Sequence, residues 1–430
     1  MEAQAGALRR WLPHALRGRL RSSVWARIAV IVAVIGPGVI TANVDNDAGG
    51  ITTYSLAGAR FGYSLLWTLL PVTLALVVIQ EMCARMGVVT GKGLSDLIRE
   101  QFGVRVTFYI MVTLLFTNLA NTIAEFAGVA AALEIFGVTK YISIPVAALF
   151  VWWLIVYGTY RRVEKVFLVA CLFYVAYLIS GFMARPPWAE VLTRMVVPEF
   201  YWRGDYLVML VAVVGTTIAP WMQFYLQAAV VEKGVRISDY RYTRYDVAVG
   251  CIVAVVVAMF IMVACAATLY QHHIPIETAQ DAAWALAPLA GKYCASLFAF
   301  GLFNASLFAA SVLPLSTAYY VCEGFGWETG IDKRFREAPQ FFGLYTTLIV
   351  LGSAFILIPR FPLLTVMYWS QVLNGALLPV VLIFILLLVN RTDLMGTYVN
   401  SRTYNIVAWG SSVIMIVLTL IMVGLLLLGY

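Results

Sequence analysis

Long apolar runs alternate with short polar ones along almost the whole chain, and the apolar runs have the length of a bilayer. A membrane-spanning helix needs about 20 predominantly apolar residues. Runs of that size fall at 29–59, 64–84, 106–133, 141–159, 166–184, 206–231, 247–270, 293–321, 340–358, 362–389 and 405–428. The pattern predicts an all-α integral membrane protein with eleven transmembrane helices. Two of the runs are interrupted. In the first, Gly36-Pro37-Gly38 and Gly49-Gly50 flank Asp45, Asn46 and Asp47; in the sixth, Gly215, Thr216, Thr217 and Pro220 fall near the middle. Glycine and proline there oppose a continuous helix and release backbone carbonyls from helical pairing.

The two broken spans stand five positions apart in the order of spans, an odd offset, so two five-helix units run in opposite senses through the bilayer. That is the inverted-repeat plan of LeuT-type transporters, in which broken first helices meet at mid-depth. It divides the chain into a basic segment at 1–28, a first repeat at 29–184, a second at 206–389 and an additional span at 405–430. The polar segments 185–205 and 271–292 are too short to bury cores of their own.

Composition strengthens the membrane reading: 62% of residues are hydrophobic and 12% charged, with a mean hydropathy of +0.88. Of the 29 Lys and Arg residues, 22 fall in alternate loops, namely 1–28, 85–105, 160–165, 232–246, 322–339 and 390–404. By the positive-inside rule these face the cytoplasm, which puts the N-terminus inside and the C-terminus outside a plasma (inner) membrane. The net charge of +7 then reports topology and bilayer contact and implies no nucleic-acid partner. The first 28 residues mix Arg9, Arg10, Arg17, Arg19, Arg21 and Arg27 with Trp11 and Trp25, a pattern suited to anionic lipid and unlike a cleaved signal peptide. The six cysteines are scattered without metal or disulfide spacing and read as reduced packing residues.

The chemistry concentrates in the breaks. An acid at bilayer depth costs at least about 2.5–3.5 kcal/mol and is a functional candidate by default. Asp47 supplies formal charge at the first break. Asp45 faces a vestibule or caps the break. Neutral oxygens come from the carbonyls between Thr216 and Ala219 and from the side chains of Asn46, Gln223, Gln371 and Asn374, with Gly50 leaving room beside them. Gln371 and Asn374 share a helix face. For Gln371, metal ligation and interhelical hydrogen bonding are equally good readings; for Asn374, hydrogen bonding is the better one. His14, His272 and His273 all lie outside the spans, and Met222 reads as packing. A site rich in oxygen and without imidazole favours Mg2+ or Ca2+ over iron, copper or zinc. Glu125 is a second deep acid, beside Asn118, Asn121 and Thr122, and Glu81 lies four residues before Arg85 as a local ion pair. No nucleophile is paired with a base, so neither an enzyme nor a cofactor is implied.

These residues resemble the Nramp family of divalent-metal transporters over nearly the whole chain. Asp47-Ala48-Gly49-Gly50 resembles its Asp-Pro-Gly-Asn signature, Gly62-Tyr63-Ser64-Leu65-Leu66-Trp67 follows it, and Ser370-Gln371-Val372 resembles its tenth-helix motif. The resemblance implies a ligand role for Gln371 and a link to proton passage for Glu125. The departures are equally specific. Ala48 and Gly50 replace the signature proline and asparagine, Ala219-Pro220-Trp221 stands where the family has Met-Pro-His, and Thr122 replaces an aspartate three residues before the glutamate. They remove the thioether and the imidazole together and count against transition-metal selectivity and proton coupling. The combination resembles the Nramp-related magnesium transporters and implies alternating-access, uncoupled uptake of partly hydrated Mg2+, through Asp47, Thr216, Ala219 and Gln371, in a site that also admits Mn2+. The alternatives are a proton-coupled Mn2+ or Fe2+ carrier of the same family and an ion-sensing membrane protein that transports nothing.

Overall fold

The computed structural model describes residues 37–158, 175–277, 279–283, 285 and 291–427. The basic segment 1–28 with His14, the start of the first span through Gly36, the first half of the fifth span with Cys171, and residues 428–430 lie outside the described residues.

The first span is two helices. α1 (Pro37–Asn43) ends in a single tight turn at Val44–Asn46, and α2 (Ala48–Phe61) starts afresh behind Asp47. α3 (Leu69–Thr90) and α4 (Leu94–Glu134) follow, then α5 (Lys140–Val156), α6 (Val175–Met183) and α7 (Trp188–Val196). The sixth span is again two pieces, α8 (Gly204–Thr217) and α9 (Pro220–Glu232). α10 (Tyr240–Cys265), α11 (Cys294–Phe325), α12 (Pro339–Ile356), α13 (Leu363–Val389) and α14 (Arg402–Leu427) complete the chain. Among the described residues no strand occurs. Eight segments there are long and apolar enough to cross a membrane, and they correspond to spans two, three and six to eleven of the hydropathy pattern. α5 is shorter, at 17 residues.

Two elements depart from the pattern read off the sequence. α4 begins well before 106 because a helical stretch at 94–102 turns a corner at Gly103, whose φ of 82° suits glycine. α7 falls in the polar segment 185–205 as a surface helix that buries Val191 and exposes its other face. Large apolar side chains such as Phe116, Leu149, Trp153, Val350 and Leu420 point outward, the inversion a lipid solvent permits.

α4 packs along α11 and α13, and this group supports the broken helices. α2 lies on α10 as α9 lies on α3, so the second half of each broken span packs on the span that follows the other. α8 and α13 cross through facing glycines. A Cβ on Gly215 would overlap the Gly375 nitrogen and the Gln371 carbonyl, so the backbones meet only because both positions lack side chains. Gly215→Ala is expected to destabilise the protein by about 1–3 kcal/mol, seen as a lower unfolding midpoint in detergent. Gly343→Ala, on an α12 surface with nothing within 4 Å, is expected to be neutral or stabilising, since alanine is the better helix former.

Candidate cation site between the two helix breaks

The N-terminus of α2 organises the site. Asp47 is its N-cap: Oδ1 accepts the Gly50 N–H at 2.7 Å, and its carbonyl accepts Ile51 N–H at 2.8 Å. The next free amide, Ala48 N–H, donates to Glu125 Oε2 of α4 at 3.2 Å. Two carboxylates from distant parts of the chain therefore meet at one helix beginning, where unpaired N–H groups and the helix dipole favour anions. Asp47 is 4% exposed and Glu125 is fully buried.

The glycines of the break admit the other donors. A Cβ on Gly49 would overlap the Gln371 amide of α13, and one on Gly50 would meet the Asp45 carbonyl and lie 3.3 Å from Thr216 Oγ1. Glycine at both positions thus lets α13 and α8 close onto the start of α2. Asp47, Gly50, Thr216 and Gln371 fall in one neighbourhood, drawn from three segments far apart in sequence.

The second break is narrower than the sequence pattern indicates. α8 stays helical through Thr217, and Ile218 N–H still bonds the Val214 carbonyl at 2.9 Å, so Thr216 is a helical residue and not part of an unwound stretch. Only Ile218 and Ala219 leave the helix; Pro220 opens α9 at a position where its missing N–H is no loss. The Ala219 carbonyl accepts Met222 N–H at 3.1 Å and Gln223 Nε2–H at 3.4 Å. Gln223 turns its oxygen toward Cys83 of α3, 3.9 Å from the sulfur, and serves the α3–α9 contact. Trp221 is 2% exposed, and its carbonyl accepts Ser316 Oγ–H of α11 at 3.3 Å.

Around this centre the remaining candidates divide. Asn46 donates to the Ala254 carbonyl of α10 at 3.1 Å. Asn374 donates to Gln371 Oε1 at 2.8 Å and exchanges bonds of 2.9 and 3.1 Å with Asn121 of α4. Asn121 reaches Asn118 at 3.2 Å, and Asn118 reaches Thr317 of α11 at 2.8 Å. Asn374 is thus an interhelical hydrogen-bonding residue, while Gln371 has one face on this chain of amides and the other on Gly49. Thr122 bonds back to the Asn118 carbonyl at 2.8 Å, and its methyl lies against Gly352 of α12.

Tyr54 escapes the sequence reading, which has Thr217 only as a residue of the second break. The Tyr54 hydroxyl stands 3.3 Å from Asp45 Oδ2 and 2.7 Å from Thr217 Oγ1, so it joins the two broken spans directly. The only signal is a tyrosine nine residues after Asp45, which periodicity alone does not single out. Elsewhere, Arg85 and Glu81 form the expected pair at 3.3 Å, joined by the Tyr240 hydroxyl and, at 3.8 Å, by Arg244 of α10. Cys83, Cys251, Cys265, Cys294 and Cys322 are free and buried, Met222 is core, and His272 and His273 are exposed. Among the described residues no group of three or more His, Cys, Asp or Glu side chains gathers as a metal cluster. The breaks offer carboxylates supplemented by neutral oxygen.

The family described as "Natural resistance-associated macrophage protein-like" matches residues 38–425. The chain is 29% identical over 409 residues to the divalent metal cation transporter MntH of Deinococcus radiodurans, covering 90% of this chain and 88% of that one. It is 25% identical over 406 residues to MntH of Bacillus subtilis, covering 91% and 92%. In three dimensions it is similar to the Eremococcus coleocola manganese transporter solved with an aromatic bis-isothiourea compound, with a TM-score of 0.78, 21% identity and coverage of 93% and 88%. It is also similar to Mhp1, a nucleobase-cation-symport-1 family transporter in a closed conformation, with a TM-score of 0.61, 16% identity and coverage of 91% and 90%.

Proposed function

The chain belongs to the natural resistance-associated macrophage protein-like (Nramp) family, and from that premise we propose that it is an uncoupled magnesium transporter. The coarser function, divalent metal cation transport across a membrane and not enzymatic catalysis, follows from the family and its MntH relatives. The finer reading rests on one observation: the groups converging on the α2 N-terminus are the Asp47 carboxylate, the Thr216 hydroxyl and the Gln371 side-chain amide, with alanine at position 219 and tryptophan at 221. Mg2+ is a hard ion that gives up water reluctantly and is held by one or two carboxylates plus retained water. Asp47 is the charged ligand, Thr216 supplies a neutral oxygen, Gln371 supplies another when its amide turns its oxygen from Asn374 toward Gly49, and the Ala219 carbonyl joins when its two internal hydrogen bonds yield. Asp45, Asn46, Gly50, Gln223 and Asn374 surround this set.

Translocation follows the inverted-repeat plan, with the spans at 29–184 rocking against those at 206–389 in a plasma membrane, N-terminus inside. The reciprocal packing of α2 on α10 and α9 on α3 supports it. Two charges crossing about 100 mV release about 4.6 kcal/mol, or about three decades of accumulation, so no second gradient is needed. In proteoliposomes, Mg2+ influx is expected to follow the membrane potential and to be the same with and without a pH gradient. Influx that collapses when the pH gradient is removed overturns the uncoupled reading.

Glu125, retained beside Asp47, favours a second reading: a proton-coupled carrier of Mn2+ or Fe2+. The Eremococcus coleocola protein of similar fold is itself a manganese transporter. Millimolar Mg2+ separates the two: it blocks Mn2+ entry if Mg2+ is the cargo and leaves it intact otherwise. A sensor that carries no ion shows no flux of either.

A further inference from the structure

Three buried acids each accept a backbone N–H at the beginning of a helix, although the second oxygen of Glu125 has no partner. Asp246 Oδ2 accepts Gly38 N–H of α1 at 2.8 Å, Asp47 Oδ1 accepts Gly50 N–H of α2 at 2.7 Å, and Glu125 Oε2 accepts Ala48 N–H at 3.2 Å. All three lie where a helix offers unpaired donors and partial positive charge.

Asp45 is situated the opposite way. It follows the last residues of α1 and reaches, through Tyr54, the last residue of α8. Helix ends present carbonyls and partial negative charge. Its hydrogen bonding is also poor. Thr217 donates its own proton to the Val213 carbonyl at 2.7 Å. The single Tyr54 proton therefore serves either Thr217 at 2.7 Å or Asp45 at 3.3 Å, not both. Asp45 Oδ1 has no donor at all, although the residue is only 2% exposed. The charged group that acts on it is another acid, Asp47. A buried carboxylate between two carbonyl-rich helix ends, with half a hydrogen bond, is a poor place for an anion alone and a favourable one for a cation.

We propose that Asp45 anchors a second station for a hard dication, on the α1 side of Asp47. Its other donors are oxygens: the terminal carbonyls of α1 and α8 and the hydroxyls of Tyr54 and Thr217. The station deepens the transport reading and rests on it only for the identity of the ion. Asp45 and Asp47 are two residues apart, within about 7 Å of backbone reach, so an ion passes between them in one short step. Together they match the charge of a dication.

Calorimetric titration of the full chain in lipid nanodiscs with Mg2+, paired with Mg2+ flux in liposomes, tests this. The wild type is expected to show two binding steps. Asp45→Asn should remove one step and lower the maximal flux about tenfold or more while changing KM little. Tyr54→Phe should weaken the same step several-fold and serves as the test if Asp45→Asn does not fold. Asp47→Asn should remove the other step. A single step in the wild type, or both steps and full flux in Asp45→Asn, overturns the station. So does an Asp45-dependent step that Na+ fills and Mg2+ does not. Loss of a step in Asp45→Asn with none in Asp47→Asn keeps the station and overturns the ligand role of Asp47 instead.

Discussion

Asp47→Ala is expected to reduce Mg2+ uptake by about two orders of magnitude or more, equivalent to at least about 2.7 kcal/mol of lost ion stabilisation. Alanine at this position removes two things at once. It removes the N-cap of α2, whose side chain accepts Gly50 N–H at 2.7 Å, and such a loss costs about 1 kcal/mol of stability. It also removes the carboxylate charge. Asp47→Asn and Asp47→Ser separate the two effects, because asparagine and serine cap helices as well as aspartate or nearly so while carrying no charge. Both variants are expected to unfold close to the wild-type midpoint and to transport no better than Asp47→Ala. Radiotracer or fluorescent-indicator flux, read beside thermal unfolding, makes the comparison. An Asn variant that transports normally would show that Asp47 is a cap and that the ion is held elsewhere.

Much of this molecule is legible in its sequence because a bilayer is a strict solvent. Only sequences that satisfy their own backbone and present apolar surface can cross it, so hydropathy outlines most helices to within a few residues. The breaks are legible for the complementary reason: glycine, proline and acids are costly in a span unless something uses them. What resists reading depends on rotation and close approach. Gln371 meets Gly49 only because α2 carries no side chain at that point, and no local signal encodes that crossing. Thr216 reads as unwound because it lies between Gly215 and Pro220, yet the helix runs through Thr217 and Ile218 N–H still bonds the Val214 carbonyl. Asn374 and Asn121 form a reciprocal pair across α13 and α4, whereas spacing links Asn374 only to Gln371 on its own helix. Tyr54 shows the limit most clearly: its importance lies in joining Asp45 to Thr217, a contact between two different spans.

Ala219→Met is expected to shift preference from Mg2+ toward Mn2+ by about tenfold, about 1.4 kcal/mol of differential binding. Ala219 is the N-cap of α9 and 2% exposed, with extended backbone that methionine adopts without strain. The flexible thioether from that point can reach toward the Asp47 side of the break. Soft sulfur contributes more to Mn2+ than to Mg2+, which it does not ligate well, and the added volume displaces water that Mg2+ prefers to keep. Both effects act in the same direction. Ala219→Leu provides similar bulk without sulfur and is expected to weaken both ions alike, so the difference between the variants isolates the thioether. Competition of Mg2+ against Mn2+ uptake in liposomes reads the ratio. If methionine and leucine lower the two ions equally, side chains at position 219 do not face the ion, and selectivity must arise from Gly50 and Gln371 on the opposite wall.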